Sequence, residues 1–171
     1  MILVDTGPLV ALFDPSETYH SRCVRLLERI DESLVTTTPV LTEAFHLLRP
    51  GSPGPPGLMA FITDGGLSVL PLDDQWRRRC FELMVHYADQ PMDFADASIV
   101  SAAERCRTDR VFTLDLTHFG AYRIRRGYHQ IPFKVIGDPE WPRIVREGTS
   151  EDCPVTDEHA HIPGAQGSAV E

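Results

Sequence analysis

No apolar stretch in these 171 residues approaches the roughly 20 needed to cross a bilayer, and the first residues lack the basic segment and apolar block of a secretory signal. The expectation is a cytoplasmic protein. Cys23, Cys80, Cys106 and Cys153 lie far apart and include no C-x-x-C pair, which argues against a disulfide framework or a zinc ribbon and predicts four reduced thiols. Internal repeats are absent. Aromatics make up 8% and hydrophobic residues 42% of the chain, enough for one ordinary core. A basic excess is missing too, since the net charge is -9, which at first argues against nucleic acid. The acid excess is uneven, however. Residues 138–171 hold eight acids against Arg143 and Arg146, a net of -6, leaving 17 acids and 14 bases, a net of -3, for residues 1–137. If some of those acids gather on a metal, the remaining surface is close to neutral and nucleic acid stays admissible.

What is present is an alternation of strand-like and helix-like stretches. Ile2–Asp5, Leu34–Thr38, Gly66–Leu72, Val111–Leu114 and Phe133–Ile136 read as short buried strands. Between them, helical spacing runs from Pro8 through Phe13, from Tyr19 to Ile30, from Pro39 to about Leu48, from Asp74 to Tyr87 and from Phe94 to Cys106. Residues 49–57, RPGSPGPPG, read as a loop. The order predicts an α/β fold with a parallel sheet of four to five strands and helices on both faces. Past Gly137 the apolar periodicity ends. We therefore expect a domain of residues 1–144 and an acidic, mobile tail of residues 145–171 that is dispensable for folding.

Four carboxylates stand out by position. Asp5 and Asp115 follow apolar strands, at the carboxyl edge where parallel sheets bind ligands. Glu43 falls on the apolar stripe of Val40, Ala44 and Leu47, and Asp96 lies one turn before Ile99, Val100 and Ala103. A carboxylate facing a core needs a partner. Each has a plainer reading: Asp5 and Asp115 as helix caps, Glu43 paired with Arg77 or Arg105, Asp96 as a first-turn acid. Asp93 is best read as the cap of the helix that Phe94 opens. The coincidence of four favours a shared cation, and an all-oxygen set suits Mg²⁺, or Mn²⁺, over Zn²⁺. His46 reads as a packed or surface residue, and His159 and His161 with Cys153 offer no fixed geometry.

The stretches VDTGPLVALFD, TEAFHLL, PMDFADASIVSAAE and VFTLDLTHFGAYR together resemble the four signature segments of PIN-domain ribonucleases, in particular the VapC-type toxins of toxin–antitoxin pairs. The resemblance spans roughly residues 1–137. It implies a three-layer α/β/α fold with strand order 3-2-1-4-5 and a Mg²⁺-dependent endoribonuclease. The family's acids fall on Asp5, Glu43, Asp96 and Asp115, with Thr6 and Thr113 as accessory hydroxyl residues. An RNA substrate, a protein antitoxin and a homodimer are implied as well. Segment 49–57 interrupts a helical hairpin that shapes the substrate groove in similar proteins. Arg123, Arg125 and Arg126 are candidate phosphate contacts, or simply solvated surface.

Three rivals are weaker. An aspartic protease needs two Asp-Thr-Gly aspartates in a β-rich chain, whereas Asp5-Thr6-Gly7 occurs once in α/β context. A haloacid dehalogenase-like phosphotransferase needs Asp-x-Asp after the first strand, and Gly7 occupies that place. A non-catalytic PIN-like module that binds RNA or a partner would be expected to lack one of the acids.

Overall fold

The apolar run at the start of the chain forms the middle of the sheet. In the computed structural model, which describes residues 1–90 and 92–137, β1 (Ile2–Val4) has all three residues fully buried, as a central parallel strand covered on both faces must be. It pairs in parallel with β2 (Leu34–Thr37) and β4 (Arg110–Phe112). Strands β3 (Ser68–Leu70) and β7 (Lys134–Ile136) complete a five-stranded parallel sheet of order β3-β2-β1-β4-β7. The expected order 3-2-1-4-5 holds, because β7 is the fifth strand of this sheet; β5 (Arg123–Arg126) and β6 (His129–Pro132) form a separate antiparallel hairpin. The fold is a three-layer α/β/α sandwich.

The helices follow the apolar spacing closely. They are α1 (Thr6–Phe13), α2 (His20–Leu27), α3 (Thr38–Leu47), α4 (Gly54–Thr63), α5 (Asp74–His86), α6 (Phe94–Arg105) and α7 (Leu116–Ala121). Helix α6 is buried on nearly every side from Ala95 to Ala103, and its alanines and serines let β1, β2, α3 and α5 approach closely. Buried hydroxyls on β2 find partners: Thr36 donates to the Val4 carbonyl at 2.8 Å, and Thr37 bonds Ser98 of α6.

Four expectations need correction. Residues 54–57 are the first turn of α4 and not loop, because a first turn has no intrahelical use for the N–H groups that Pro55 and Pro56 lack. Gly54 is required there, since an added Cβ would lie 2.9 Å from both Leu48 and the Phe13 carbonyl. Leu47 is 53% exposed, and the buried stripe of α3 runs instead through Val40, Ala44 and Leu48 at spacings of four. Strand β4 ends at Phe112, so Asp115 follows it after Thr113 and Leu114 and not directly. Finally, Cys23 and Cys80 are free and buried as expected, but Cys106 is disulfide-bonded, a pairing that wide sequence separation conceals. The domain boundary at 144, the tail, Cys153, His159 and His161 lie outside the described residues.

Candidate active site

The acids singled out in the sequence meet in one place. Asp5, Glu43, Asp96 and Asp115 all line a cleft of ≈ 790 Å³ at the carboxyl edge of the sheet, together with Thr6 and Asp93. Asp5 ends β1 directly and occupies the N-cap position of α1, but its side chain makes no capping hydrogen bond. The capping reading therefore fails for Asp5. Its Oδ2 accepts instead from the Thr113 hydroxyl at 2.7 Å, and the same Thr113 oxygen accepts from the Asp115 backbone N–H at 3.0 Å. One hydroxyl thus links two of the acids, which gives the accessory threonine a structural meaning.

Each other carboxylate is held by a neighbour without charge or by a histidine. The Thr6 hydroxyl donates to Glu43 Oε2 at 2.7 Å, and neither Arg77 nor Arg105 pairs with Glu43: they pair with Asp74 and Asp73. The Tyr122 hydroxyl donates to Asp96 Oδ2 at 3.0 Å. Asp115 caps α7, its Oδ1 accepting from the His118 N–H at 2.9 Å, while its Oδ2 lies 2.5 Å from His118 Nδ1. Asp93 is the cap of α6 as expected, accepting from the Asp96 N–H at 2.8 Å, and its exposed charge still faces the cleft. Among the described residues no three acidic, histidine or cysteine side chains form a ready-made metal-ligand set. With no cation between them, the carboxylates turn to separate donors.

Electrostatics show the cost of this crowding. Burial, opposed by the Thr113 hydroxyl and reinforced by the charges of Glu43 and Asp93, raises Asp5 from 3.8 to about 6. Asp96 rises from 3.8 to about 7, through burial and then the charges of Asp93, Asp5 and Asp115. His118 is raised by its bond to Asp115 and then by that residue's charge. Burial and the neighbouring Asp96 raise the Tyr122 phenol, which keeps it a donor. Among the described residues lining the cleft, His118 is the sole basic side chain.

Three participants escaped the sequence. His118 sits three residues after Asp115, a spacing that in hindsight marks a helical partner. Tyr122 carries no such signal, and neither does Glu17, which lines the cleft from the connection between α1 and α2. The arginines fare differently from their expected role. Arg123 donates to the carbonyls of Gly120, Ala121 and Tyr122 and so closes the end of α7, while Arg125 and Arg126 border a separate cavity with Glu104 and Asp109.

Comparison with known proteins agrees with this architecture. The chain is 27% identical over 124 residues to ribonuclease VapC26 of Mycobacterium tuberculosis, covering 71% of this chain and 92% of that one. It superposes on the crystal structure of VapC20 from the same organism, a toxin that cleaves the sarcin–ricin loop, with a TM-score of 0.63 at 20% identity, over 68% of this chain and 92% of that chain. The PIN domain family matches residues 2–123, a span that contains all four acids and the hydroxyl residues that orient them. By that match the chain belongs to the PIN-domain family.

Proposed function

We propose that this protein is a Mg²⁺-dependent endoribonuclease, with Mn²⁺ as an alternative ion, and that it acts as the toxin of a type II toxin–antitoxin pair. The observation that carries the reading is the pair Asp5 and Asp96, raised to about 6 and 7 in a cleft where they face further carboxylates. Such a site is stabilised most by a divalent cation. The donor set fits one: it is all oxygen, as Mg²⁺ and Mn²⁺ prefer. Asp5, Glu43, Asp96 and Asp115 would hold it, and there Mg²⁺ supplies the Lewis acidity that lowers the pKa of a bound water and offsets charge on the scissile phosphate.

The chain's own residues prepare the site. Thr113 fixes the orientation of Asp5, Thr6 that of Glu43 and Tyr122 that of Asp96, so each carboxylate keeps one oxygen committed and one directed to the cleft. His118 holds Asp115 in the same way and brings a proton donor beside it. Hydrolysis by water on this plan leaves a 5′-phosphate and a 3′-hydroxyl. RNA as the substrate class is supported by the printed activities of VapC26 and VapC20. A cognate antitoxin laying a segment over the cleft, and a homodimeric assembly in the cytoplasm, belong to the same reading.

The test is incubation of the purified protein with total RNA, with and without EDTA. Cleavage is expected only without the chelator; equal cleavage in both would overturn the metal requirement. In a bacterium the protein should slow growth and Asp96→Ala should not, so an equally toxic variant would place the toxicity elsewhere.

A further inference from the structure

A different chemistry occupies the far end of α6. There α5, α6 and β5 border a cavity of ≈ 440 Å³ in which Arg78, Arg79, Arg105 and Arg125 stand against Glu82 and Glu104. Trp76 borders the same cavity. It is 5% exposed, and its indole N–H is the one buried side-chain polar atom among the described residues with no hydrogen-bond partner. An unmade hydrogen bond at a buried donor is costly, so its persistence calls for an acceptor that the protein itself does not provide. The Arg105 guanidinium lies over the Trp76 ring, 5.1 Å from its centroid.

The arginines are not all engaged. Arg79 is held by Glu104 through two bonds of 2.8 Å and by Glu82 at 3.1 Å, and Arg105 by Asp73 at 2.9 Å. Among the described residues Arg78 and the Arg125 guanidinium have no acidic partner, although the Arg125 backbone N–H donates to Glu104. What the cavity lacks is a negatively charged oxygen. The adjoining cavity shares Glu104 and Arg125 and adds Arg107 and Arg126 against Asp109, so the arginines continue as a strip. A strip suits a chain of phosphates better than a single carboxylate, and guanidinium forks match phosphate oxygens.

We propose that this cavity binds a backbone phosphate of the RNA substrate away from the scissile bond. The identity of that RNA rests on the ribonuclease reading, while the anion site rests on the cavity alone. Asp96 and Arg105 stand nine residues apart on α6, a rise of about 14 Å. An RNA touching both ends must therefore extend beyond the nucleotides at the acidic cleft, and the second contact selects for length or folded shape.

Two measurements test this on the full chain. In ¹⁵N-labelled protein, the indole resonance missing from Trp76→Phe identifies the buried N–H, and titration with inorganic phosphate should shift it. On an Asp96→Asn background, which stops cleavage, Arg78→Ala with Arg125→Ala should weaken binding of a long structured RNA about tenfold and reduce the slope of log K against log salt by about one. Binding of a tetranucleotide should not change. A resonance indifferent to phosphate would mean the N–H meets only water, and the site is then wrong. A shift with phosphate but unaltered RNA affinity and slope would overturn RNA as the occupant, as would polyglutamate shifting the resonance at lower concentration than phosphate. Failure of the ribonuclease reading is visible separately, as a parent protein that cuts no RNA while the phosphate shift remains.

Discussion

The two ends of helix α6 solve the problem of partly buried acids in opposite ways. At its C-terminal end and along the neighbouring edge, acids meet cations: Glu104 and Glu82 bind Arg79, Asp73 binds Arg105, Glu32 binds Arg110 and the N-terminal amine, and Asp109 binds Lys134 at 2.9 Å. At its N-terminal end Asp5, Glu43 and Asp96 meet only hydroxyls and N–H groups, and Asp115 a histidine. Both regions are built from the same residue types in one small domain. The difference is that arginine is kept out of the cleft, which leaves its acids dependent on a cation from solution. Charge that is paired within the chain stabilises the fold; charge left for a diffusible ion is a liability until that ion arrives.

The largest effect expected from breaking this contrast is on catalysis. Asp96→Asn keeps the shape of the α6 N-terminus and the Tyr122 contact but removes the charge, and RNA cleavage should fall by a factor of at least about 100, or about 2.7 kcal/mol in transition-state terms. Gel assays at saturating Mg²⁺ measure it. A variant within threefold of the parent would remove Asp96 from the site.

Next in size is stability, where the two ends should respond with opposite sign. Asp5 is fully buried with its pKa raised from 3.8 to about 6, so it favours the fold when protonated. That contribution is complete below pH about 4 and lost as pH rises through 6, about 3 kcal/mol in all. Asp96, raised to about 7, extends the loss over the same direction of pH. Without metal the protein should therefore melt lower at pH 8 than at pH 5, and Asp5→Asn should melt higher than the parent at pH 8 while matching it near pH 4. Mg²⁺ at a hundredfold excess over Kd should restore about 2.7 kcal/mol to the parent, and much less to the variant. At the other end, Arg79→Ala leaves Glu104, whose side chain is 11% exposed, without its guanidinium, and should lower stability by about 2 kcal/mol with no effect on the Mg²⁺ response. Thermal scans of the three proteins compare the ends directly; destabilisation by both substitutions at pH 8 would erase the distinction.

Much of this was legible before the fold was known, for identifiable reasons. A strand buried on both faces must be apolar throughout, so Ile2-Leu3-Val4 marks the sheet centre, and a carboxylate beside it or on an apolar helix stripe is conspicuous against that background. Positions that depend on chain entering from elsewhere were not legible. The hairpin β5–β6 escaped because RIRR and HQIP are polar, inward Ile124 and Ile131 are its only apolar pair, and Gly127 with φ of 61° is its only turn signal. Prolines read as loop in α4 because the same residue that breaks a helix interior is welcome in a first turn. Tyr122 follows α7 and reaches Asp96 of α6 across 26 residues of sequence, a contact no periodicity encodes.

That contact supplies the smallest prediction and the sharpest test of how the acids are held without cations. The Tyr122 hydroxyl is the hydrogen-bond donor to the Asp96 side chain, and it opposes the burial and like-charge effects that raise that carboxyl. Its ring is fully buried between Tyr87, Phe119 and His118, so Tyr122→Phe removes the hydroxyl while the packing stays filled. Asp96 should then hold its proton to higher pH, since the bond to its ionised form is gone. Mg²⁺ must displace that proton to bind, so the apparent affinity should fall about tenfold near pH 7. The deficit should shrink as pH rises past the new pKa, because the competing proton is then absent. A purely structural role for Tyr122 predicts a lower melting temperature and an unchanged pH profile of Mg²⁺ affinity. Titrating Mg²⁺ into both proteins at pH 6.5 and 8.5, read by the shift in melting temperature, separates the two outcomes.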